Sequence, residues 1–119
     1  KTEYSQKYDL EERSMKFAQK VRAFIKKLPK TVSNNEDIKQ LVRASGSPGA
    51  NYIEANNSLG KKDFQMKIRI CRKESKEARY WLRLVDTDDE SRLEEERNIL
   101  MQESKELVCI FGTILSRIS

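Results

Sequence analysis

Apolar residues recur at helical spacing in the segment from residue 61 to residue 85. Steps of four and three residues alternate along it, which is the spacing of the buried seam of a packed helix. The seam comprises Phe64, Ile68, Cys71, Ser75, Ala78, Leu82 and Val85. A second apolar arc lies at other angles and comprises Met66, Ile70, Tyr80, Trp81 and Leu84. A helix with two apolar arcs is expected to have neighbours on more than one side.

Three other segments show the same periodicity, and together the four segments predict an all-α protein. Each of the other three has a start signal in which Asp, Ser or Thr precedes Glu by three residues. These signals are Asp9 with Glu12, Ser33 with Glu36, and Thr87 with Glu90. The predicted helices cover about residues 9–28, 34–57, 61–85 and 88–118, after a flexible tail at residues 1–8. Four such helices joined by short turns predict one domain, an up-down-up-down antiparallel four-helix bundle.

The second helix contains Gly46, Pro48 and Gly49 in its middle, where helix propensity alone favours a loop. The apolar phase nevertheless continues across these residues, and a loop has no reason to preserve it. We therefore predict one helix, kinked or loosened at Pro48, with both glycines allowing another helix to approach closely. A phosphate-binding glycine loop is disfavoured, because the sequence SGSPG matches neither GxxxxGK[ST] nor GxGxxG.

Composition limits the classes of protein that the chain can belong to. With 119 residues, 36% of them charged and 8% aromatic, the chain suits one helical domain with much exposed surface. Cys71 and Cys109 lie in apolar patterns without a CxxC pair, and the chain has no histidine, so we expect free buried thiols, no metal site and no cofactor. No apolar run approaches the ~20 residues that span a bilayer, and the start lacks a signal-peptide pattern. We expect a soluble, cytoplasmic protein that does not bind membranes.

The charges are distributed unevenly along the chain, whose net charge is +5. Residues 61–83 carry nine basic and three acidic side chains, whereas residues 86–106 carry three basic and nine acidic ones. The third helix and the start of the fourth are therefore oppositely charged, and the molecule is expected to be strongly dipolar. An excess of basic residues favours acidic partners.

Basic residues on the third helix repeat with the same steps as its apolar seam and form a stripe that we call the basic ridge. The ridge comprises Arg69, Arg72, Lys76, Arg79 and Arg83, and Lys61 and Lys62 precede it near the helix start. A charged stripe is usually just the solvated face of a helix. A solvated face normally mixes signs at i and i+4, however, and this stripe contains no acidic residue. The ridge is therefore a candidate surface for nucleic-acid phosphates.

Glu74 and Glu77 lie beside apolar positions of the third helix rather than on its basic side. Carboxylates in such positions need partners. Arg43 and Asn51 on the preceding helix could supply hydrogen-bond donors, so we predict a buried polar layer of these four residues. The alternative, a pair of catalytic carboxylates, lacks a histidine, a metal-ligand set and a third polar group. We therefore expect no catalytic residues and no enzymatic activity.

The last part of the fourth helix, LVCIFGTIL at residues 107–115, is apolar all round. Nine apolar or small residues are too few to span a membrane, so this end is expected to be covered by protein. A single bundle does not normally surround one of its own helices. The pattern therefore indicates contacts between subunits.

Four stretches of the chain resemble a known family. They are YDLEER at residues 8–13, SGSPGANYIEA at 45–55, KKDF at 61–64 and KESKEARYWLRL at 73–84. They are similar to the four-helix bundle proteins encoded in intervening sequences of bacterial 23S ribosomal RNA genes, and the likeness spans residues 8–116. The matching positions, which we interpret as packing and polar-layer residues, are Gly49, Ala50, Asn51, Glu77, Tyr80, Trp81 and Leu82. The chain departs from the family at Pro48, since many relatives have their proline at the position of Gly49.

The resemblance implies a left-handed bundle that assembles as a ring or barrel, a homopentamer, in the bacterial cytoplasm. The family is in turn similar to the accessory variability protein of diversity-generating retroelements, a basic pentameric barrel thought to bind nucleic acid and a reverse transcriptase. By that analogy the expected partners are further copies of the chain, RNA or DNA, and a protein such as a reverse transcriptase. No catalytic residues come with the family.

Two interpretations of function follow. The first is a non-enzymatic oligomeric bundle that binds RNA or DNA through phosphates on the basic ridge, with little sequence preference and strong salt dependence. The second is a protein-interaction scaffold in which the basic ridge of one subunit packs on the acidic fourth helix of its neighbour. Few aromatic side chains are expected to be free for stacking on bases, so recognition of single strands is the less favoured mode.

Overall fold

Four helices account for most of the chain. The structure is a computed structural model that describes the backbone of residues 3–118 and the side chains of residues 10–118. The helices are α1 (Glu3–Ile25), α2 (Val32–Asn56), α3 (Lys61–Leu84) and α4 (Ser91–Ile118). All regular secondary structure in the described residues is helical, which confirms the predicted all-α class with four helices.

The helices pack in chain order around one core. Each helix contacts its neighbours in sequence, and α1 also contacts α4. Contacts between neighbours run in opposite chain directions, because Arg43 pairs with Glu77 while Glu54, further along α2, pairs with Lys67, earlier on α3. The chain therefore runs up, down, up and down within a body of 45 × 27 × 19 Å. The left-handed twist and the ring assembly stay predictions.

The predicted apolar seams form the core. In α3, Ile68, Cys71, Ser75, Ala78 and Leu82 are all fully buried. Phe64, at the start of that seam, is only partly buried because it lies near the open end of the bundle. Burying one large apolar side chain stabilises the fold by roughly 1.5–3 kcal/mol. The largest fully buried apolar side chains, which contribute most, are Phe17, Phe24, Phe111, Leu41, Ile68, Leu82, Leu100 and Leu107.

Helix α2 is continuous across Gly46, Pro48 and Gly49, as the preserved apolar phase predicted. The ring of Pro48 is buried, and its carbonyl oxygen accepts a hydrogen bond from the Cys71 thiol at 3.4 Å. A Cβ atom placed on Gly49 would lie 3.4 Å from Cβ of Ser14, so α1 and α2 approach closely there. Tertiary packing thus outweighs the cost of proline in a helix interior, which is about 3 kcal/mol.

The ends of α1 differ from the prediction. The helix begins at Glu3 rather than at Asp9, so residues 3–8 continue the helix where a flexible tail was predicted. Residues 1–2 of that tail lie outside the described residues. The helix ends at Ile25, and a tighter turn follows in which the Lys27 amide donates to the Phe24 carbonyl. Asp9 is therefore an interior residue and not an N-cap.

The starts of α2 and α4 also differ from the predicted capping boxes. Thr31, not Ser33, caps α2, because its hydroxyl accepts a hydrogen bond from the Asn34 amide at 3.1 Å. Helix α4 begins at Ser91, and the Glu90 carboxylate accepts from the Leu93 amide at 3.0 Å. The turn before α4 is longer than predicted because Asp88 and Asp89 adopt left-handed backbone conformations, with φ of 59° and 55°.

Buried polar contacts tie the turns at one end of the bundle together. Asn34 is fully buried, and its amide nitrogen donates to the carbonyls of Pro29 and Asp86 at 3.0 and 2.8 Å. Arg97 donates to carbonyls at the end of α3, among them that of Leu82 at 3.2 Å. These side chains satisfy backbone groups that a helix end leaves open.

None of the helices in the described part of the chain is long and apolar enough to cross a membrane.

Candidate nucleic-acid interface

The basic ridge lies along the side of α3 that borders α4. The Arg72 side chain packs against α4 at Gly112, where an added Cβ atom would lie 3.7 Å from the Nε atom of Arg72. Because Gly112 has no side chain, α4 leaves room for Arg72 at this point. Gln65, one turn before the ridge, donates to the carbonyl of Ile118, the last residue of α4. The antiparallel packing of α3 and α4 therefore fixes the orientation of the ridge.

All the ridge cations but Arg79 are exposed, and the described residues offer none of them an ion pair. Arg69, Arg72, Lys76 and Arg83 are exposed, as are Lys61 and Lys62 at the helix start, and Arg79 is partly buried. Within residues 10–118, none of these seven side chains has a carboxylate oxygen within 4.0 Å of a charged nitrogen. The positive charge of the ridge is thus not neutralised inside the described part of the chain.

Arg79 differs from the other ridge residues. Its Nε atom is buried and lacks a hydrogen-bond partner in the described residues. A guanidinium stays charged in proteins, and a buried donor without an acceptor costs roughly 1–3 kcal/mol. Arg79 is therefore the ridge cation with the least access to solvent.

The predicted polar layer is a cluster at the edge of the α2–α3 contact. Arg43 donates to Glu74 at 2.9 Å and also to Glu77, and the Trp81 indole donates to Glu77 at 3.1 Å. Only Glu74 is buried, with 10% of its side chain exposed, whereas half of the Arg43 side chain is exposed. Asn51 does not join the cluster, because its amide donates to Ser47 one turn before it.

Hydrogen bonding keeps the cluster charged. The Trp81 indole and then Arg43 lower the pKa of Glu77 below the ordinary value, and Lys73 adds a smaller electrostatic effect in the same direction. The hydrogen bonds of Arg43 to Glu77 and then to Glu74 raise the pKa of Arg43. A carboxylate held ionised by a guanidinium is a poor proton donor. The geometry is that of a structural ion pair that joins α2 to α3.

Part of the second apolar arc of α3 is uncovered. The side chains of Met66, Tyr80 and Leu84 are 55%, 53% and 48% exposed, and Ile70 and Trp81 are partly buried. The Tyr80 and Trp81 rings meet edge to face, with centroids 5.0 Å apart and an interplanar angle of 80°. The sequence predicted neighbours for this arc, and the described residues leave about half of each of these three side chains exposed. The exposure of the Tyr80 ring to solvent was not predicted from the sequence.

The two cysteines have different environments. Burial raises the pKa of the Cys71 thiol to about 12, so it stays protonated at neutral pH. Cys109 is exposed on α4, which corrects the prediction that both thiols are buried. Cys109 belongs to the apolar end of α4, where several side chains are only partly buried. That end is therefore incompletely covered by the described residues.

The acidic side chains of α4 are mostly paired with cations of the same chain. Arg13 of α1 pairs with Glu103 at 2.7 Å and also with Glu106, and Lys27 pairs with Glu96 at 2.8 Å. Glu94 pairs with Arg97 of α4 itself. Glu95 alone among the five α4 carboxylates has no ion pair within residues 10–118. Three of these five carboxylates thus pair with cations on the α1 side, away from the basic ridge.

A sequence model of the family described as the 23S rRNA-intervening sequence protein matches residues 6–110. The chain belongs to this family. The matched residues include α2, α3 and most of α1 and α4, and therefore the basic ridge and the Arg43 cluster. The resemblance seen in the sequence is confirmed.

A crystal structure supports the same assignment. It shows a protein of unknown function from the S23 ribosomal protein family of Bacteroides thetaiotaomicron, with 28% sequence identity and a TM-score of 0.75. The similarity covers 89% of this chain and 97% of that one. Comparison with curated proteins finds no match. Family membership thus establishes the fold and leaves the molecular role to be argued from the surface.

Proposed function

We propose that the protein is a non-enzymatic, self-associating helical bundle that binds RNA or DNA through backbone phosphates on the basic ridge. The observation that carries the proposal is the row of exposed cations on α3 without an ion pair in the described residues. Such a row attracts phosphates because binding releases the counterions condensed on the nucleic acid. Phosphate contacts position a strand without reading its sequence.

The position of Arg79 among the other ridge cations supports the same proposal. A phosphate oxygen accepts strong, charge-assisted hydrogen bonds from a guanidinium. Neighbouring cations at i−3 and i+4, Lys76 and Arg83, are on the same side of the helix. A phosphate near Arg79 would therefore contact more than one cation.

The scaffold interpretation is less well supported. In that interpretation the ridge packs on the acidic α4 of a neighbouring copy, which requires free carboxylates there. Most α4 carboxylates already have a cation from the same chain, including Glu96 with Lys27 and Glu103 with Arg13. Exchanging one exposed ion pair for another yields little, because such pairs are worth about 0–1 kcal/mol.

Self-association would rest on the second apolar arc instead. Met66 and Leu84 are about half exposed on α3, and the apolar end of α4 is also partly open. Exposed apolar side chains that follow one line of a helix form a surface on which another copy can pack. Repetition in a ring, the homopentamer that the sequence resemblance implies, would multiply the ridge and strengthen phosphate binding through multivalency.

The test compares two triple variants that lose the same charge from different helices. The first, Arg69→Gln, Lys76→Gln and Arg83→Gln, removes exposed ridge cations. The control, Lys16→Gln, Lys20→Gln and Lys26→Gln, removes exposed cations of α1 and of the turn that follows it. Fluorescence anisotropy with a labelled RNA is measured for both at about 50 mM salt, where phosphate contacts are strong.

We expect the ridge variant to bind the RNA at least about tenfold more weakly than the natural sequence, because three phosphate contacts are lost. The α1 control should bind almost normally. Equal weakening of both variants would show that only net charge matters and that the ridge is not the site. Unchanged binding by the ridge variant would contradict the proposal directly.

A further inference from the structure

Tyr80 is an aromatic ring at the margin of the basic ridge. It follows Lys76 by four residues and precedes Arg83 by three, so it lies about 40° and 60° round the helix from them at 100° per residue. Its side chain is 53% exposed. A strand whose phosphates lie on the ridge would bring its bases within reach of this ring.

The Tyr80 ring is held in place by its neighbours. Trp81 packs against it edge to face at 5.0 Å, and the Trp81 indole is itself fixed by its hydrogen bond to Glu77. Glu77 in turn pairs with Arg43 of α2. The ring therefore needs little ordering when it binds, which lowers the entropic cost of a contact.

Placed on this ridge, the ring suits a single strand better than a duplex. Aromatic side chains bind nucleic acid by stacking on bases that are not already stacked on neighbours, as in single strands and loops. In a duplex the bases are already stacked on one another, so the Tyr80 ring has no free base face to contact.

We propose that the ridge binds a single-stranded nucleic acid, with phosphates on Lys76 and Arg83 and a base stacked on Tyr80. The inference deepens the proposed function and rests on it. In this proposal Tyr80 has a different role from the other exposed residues of the second apolar arc. Met66 and Leu84 serve contact between copies, whereas Tyr80, next to the cations, serves the strand.

The experiment uses three labelled probes and measures their dissociation constants by anisotropy. The probes are a single-stranded RNA of mixed sequence, the same RNA annealed to its complement, and an abasic strand of equal length. The abasic strand keeps the phosphates and lacks the bases. The proteins are the natural sequence, Tyr80→Ala, Tyr80→Phe and the control Leu84→Ala, which truncates another half-exposed residue of the same arc.

The natural protein should bind the single strand more tightly than the duplex. Tyr80→Ala should weaken binding to the single strand about fivefold to a hundredfold, the usual effect of removing one stacking ring, and leave the abasic strand unchanged. Tyr80→Phe should bind normally because the ring remains. Leu84→Ala should affect the mixed-sequence and abasic strands equally, since any effect it has acts through assembly.

A crosslinking measurement on the unmodified protein makes the test independent of folding in the variants. A single strand carrying 5-iodouridine is irradiated on the protein, and mass spectrometry locates the adduct, which we expect on Tyr80. An adduct confined to other residues, a duplex bound as tightly as the single strand, or equal loss of the abasic strand in Tyr80→Ala would overturn the inference. If instead no probe binds, the proposed function itself fails.

Discussion

Arg43 is the residue on which the contact between α2 and α3 depends most visibly. It is the cation paired with both Glu74 and Glu77, and Glu74 is nearly buried. Ion pairs at a surface contribute little, but removing one partner of a buried charge leaves the other uncompensated. The cluster therefore stabilises the fold mainly by preventing that cost.

We expect Arg43→Met to lower the free energy of unfolding by about 1–3 kcal/mol, because Glu74 then lacks a donor. Urea denaturation followed by circular dichroism measures the change. Lys39→Met is the matched control, since Lys39 pairs with Glu36 at 3.5 Å on an exposed face of the same helix. Equal changes in the free energy of unfolding for the two substitutions would show that the Arg43 cluster stabilises the fold no more than an exposed ion pair does.

The pKa of Glu77 gives a second prediction at the scale of one residue. Its pKa in the folded protein is below the ordinary 4.5, first because the Trp81 indole donates to it and next because Arg43 does. A lowered folded pKa stabilises the fold above pH 4.5, and this contribution is lost as the pH falls through the folded value.

At pH values below 4.5 the free energy of unfolding should therefore decrease. Denaturation at each pH can be monitored by the fluorescence of Trp81, the one tryptophan in the chain. In Glu77→Gln the free energy of unfolding should depend less on pH. The remaining dependence comes from Glu94 and Glu106, whose pKa values are also lowered. The idea fails if Glu77→Gln and the natural sequence lose stability in parallel.

For single residues, the sequence predicted which charged side chains pair better than it predicted hydrogen bonds within a helix or the exposure of a side chain. Helical spacing placed Glu74 and Glu77 away from the ridge, with Arg43 among the possible donors on the preceding helix, and the structure brings these three together. The sequence could not show that Asn51 would bond within its own helix, because Ser47 one turn earlier competes for its amide. Nor could periodicity show that Tyr80 is uncovered, since exposure depends on which side of α3 faces a neighbour.

Helix α2 shows how packing decides the form of an element. Its interior holds a proline and two glycines, yet it continues for 25 residues because its seam is buried on both sides of them. The close approach to α1 at Gly49 is the reason for a small residue there. Space for a neighbouring helix, rather than backbone freedom, explains this glycine.

We expect Gly49→Leu to lower the free energy of unfolding by about 1–3 kcal/mol, because the added side chain must displace the backbone of α1 near Ser14 and Met15. Thermal and urea denaturation measure this. Gly60→Leu is the control, since a Cβ atom there has no heavy atom within 4 Å in the described residues. A stable Gly49→Leu protein would mean that α1 and α2 are not in close contact at this point.

Element boundaries were the least predictable part of the fold. The capping-box spacing favoured Ser33, but Thr31 lies nearer the bend after Pro29 and its hydroxyl reaches the Asn34 amide. Likewise the left-handed residues Asp88 and Asp89 move the start of α4 to Ser91. The number of helices, their order and the seam of α3 follow from periodicity, because periodicity reflects burial directly.

Across the whole molecule, unpaired positive charge and exposed apolar side chains lie next to each other on α3. Three acidic residues of α4 pair with Arg13 and Lys27 on the α1 side. Within residues 10–118 the ridge of α3 has no ion pair, and Met66 and Leu84 are half exposed beside it. The sequence predicted the dipolar charge, but it could not show which charges are neutralised within the chain. That required the packing of α1 against α4.

Self-association can be tested by placing charge on the uncovered arc. We expect Met66→Glu combined with Leu84→Glu to lower the mass seen by analytical ultracentrifugation, because a carboxylate in an apolar contact between copies has no partner. Leu59→Glu is the control, since Leu59 is fully exposed in the turn between α2 and α3. A natural protein that sediments as a monomer, or a double variant of unchanged mass, would contradict this part of the account.

The most direct test of the central claim is the salt dependence of nucleic-acid binding by the natural protein. A labelled RNA and a DNA of the same sequence are titrated by fluorescence anisotropy at about 50 and 200 mM salt. If the five ridge cations contact phosphates, the affinity should fall about a hundredfold across this range. No binding at the lower salt, or binding that does not change with salt, would contradict the claim that the ridge is a phosphate-binding surface.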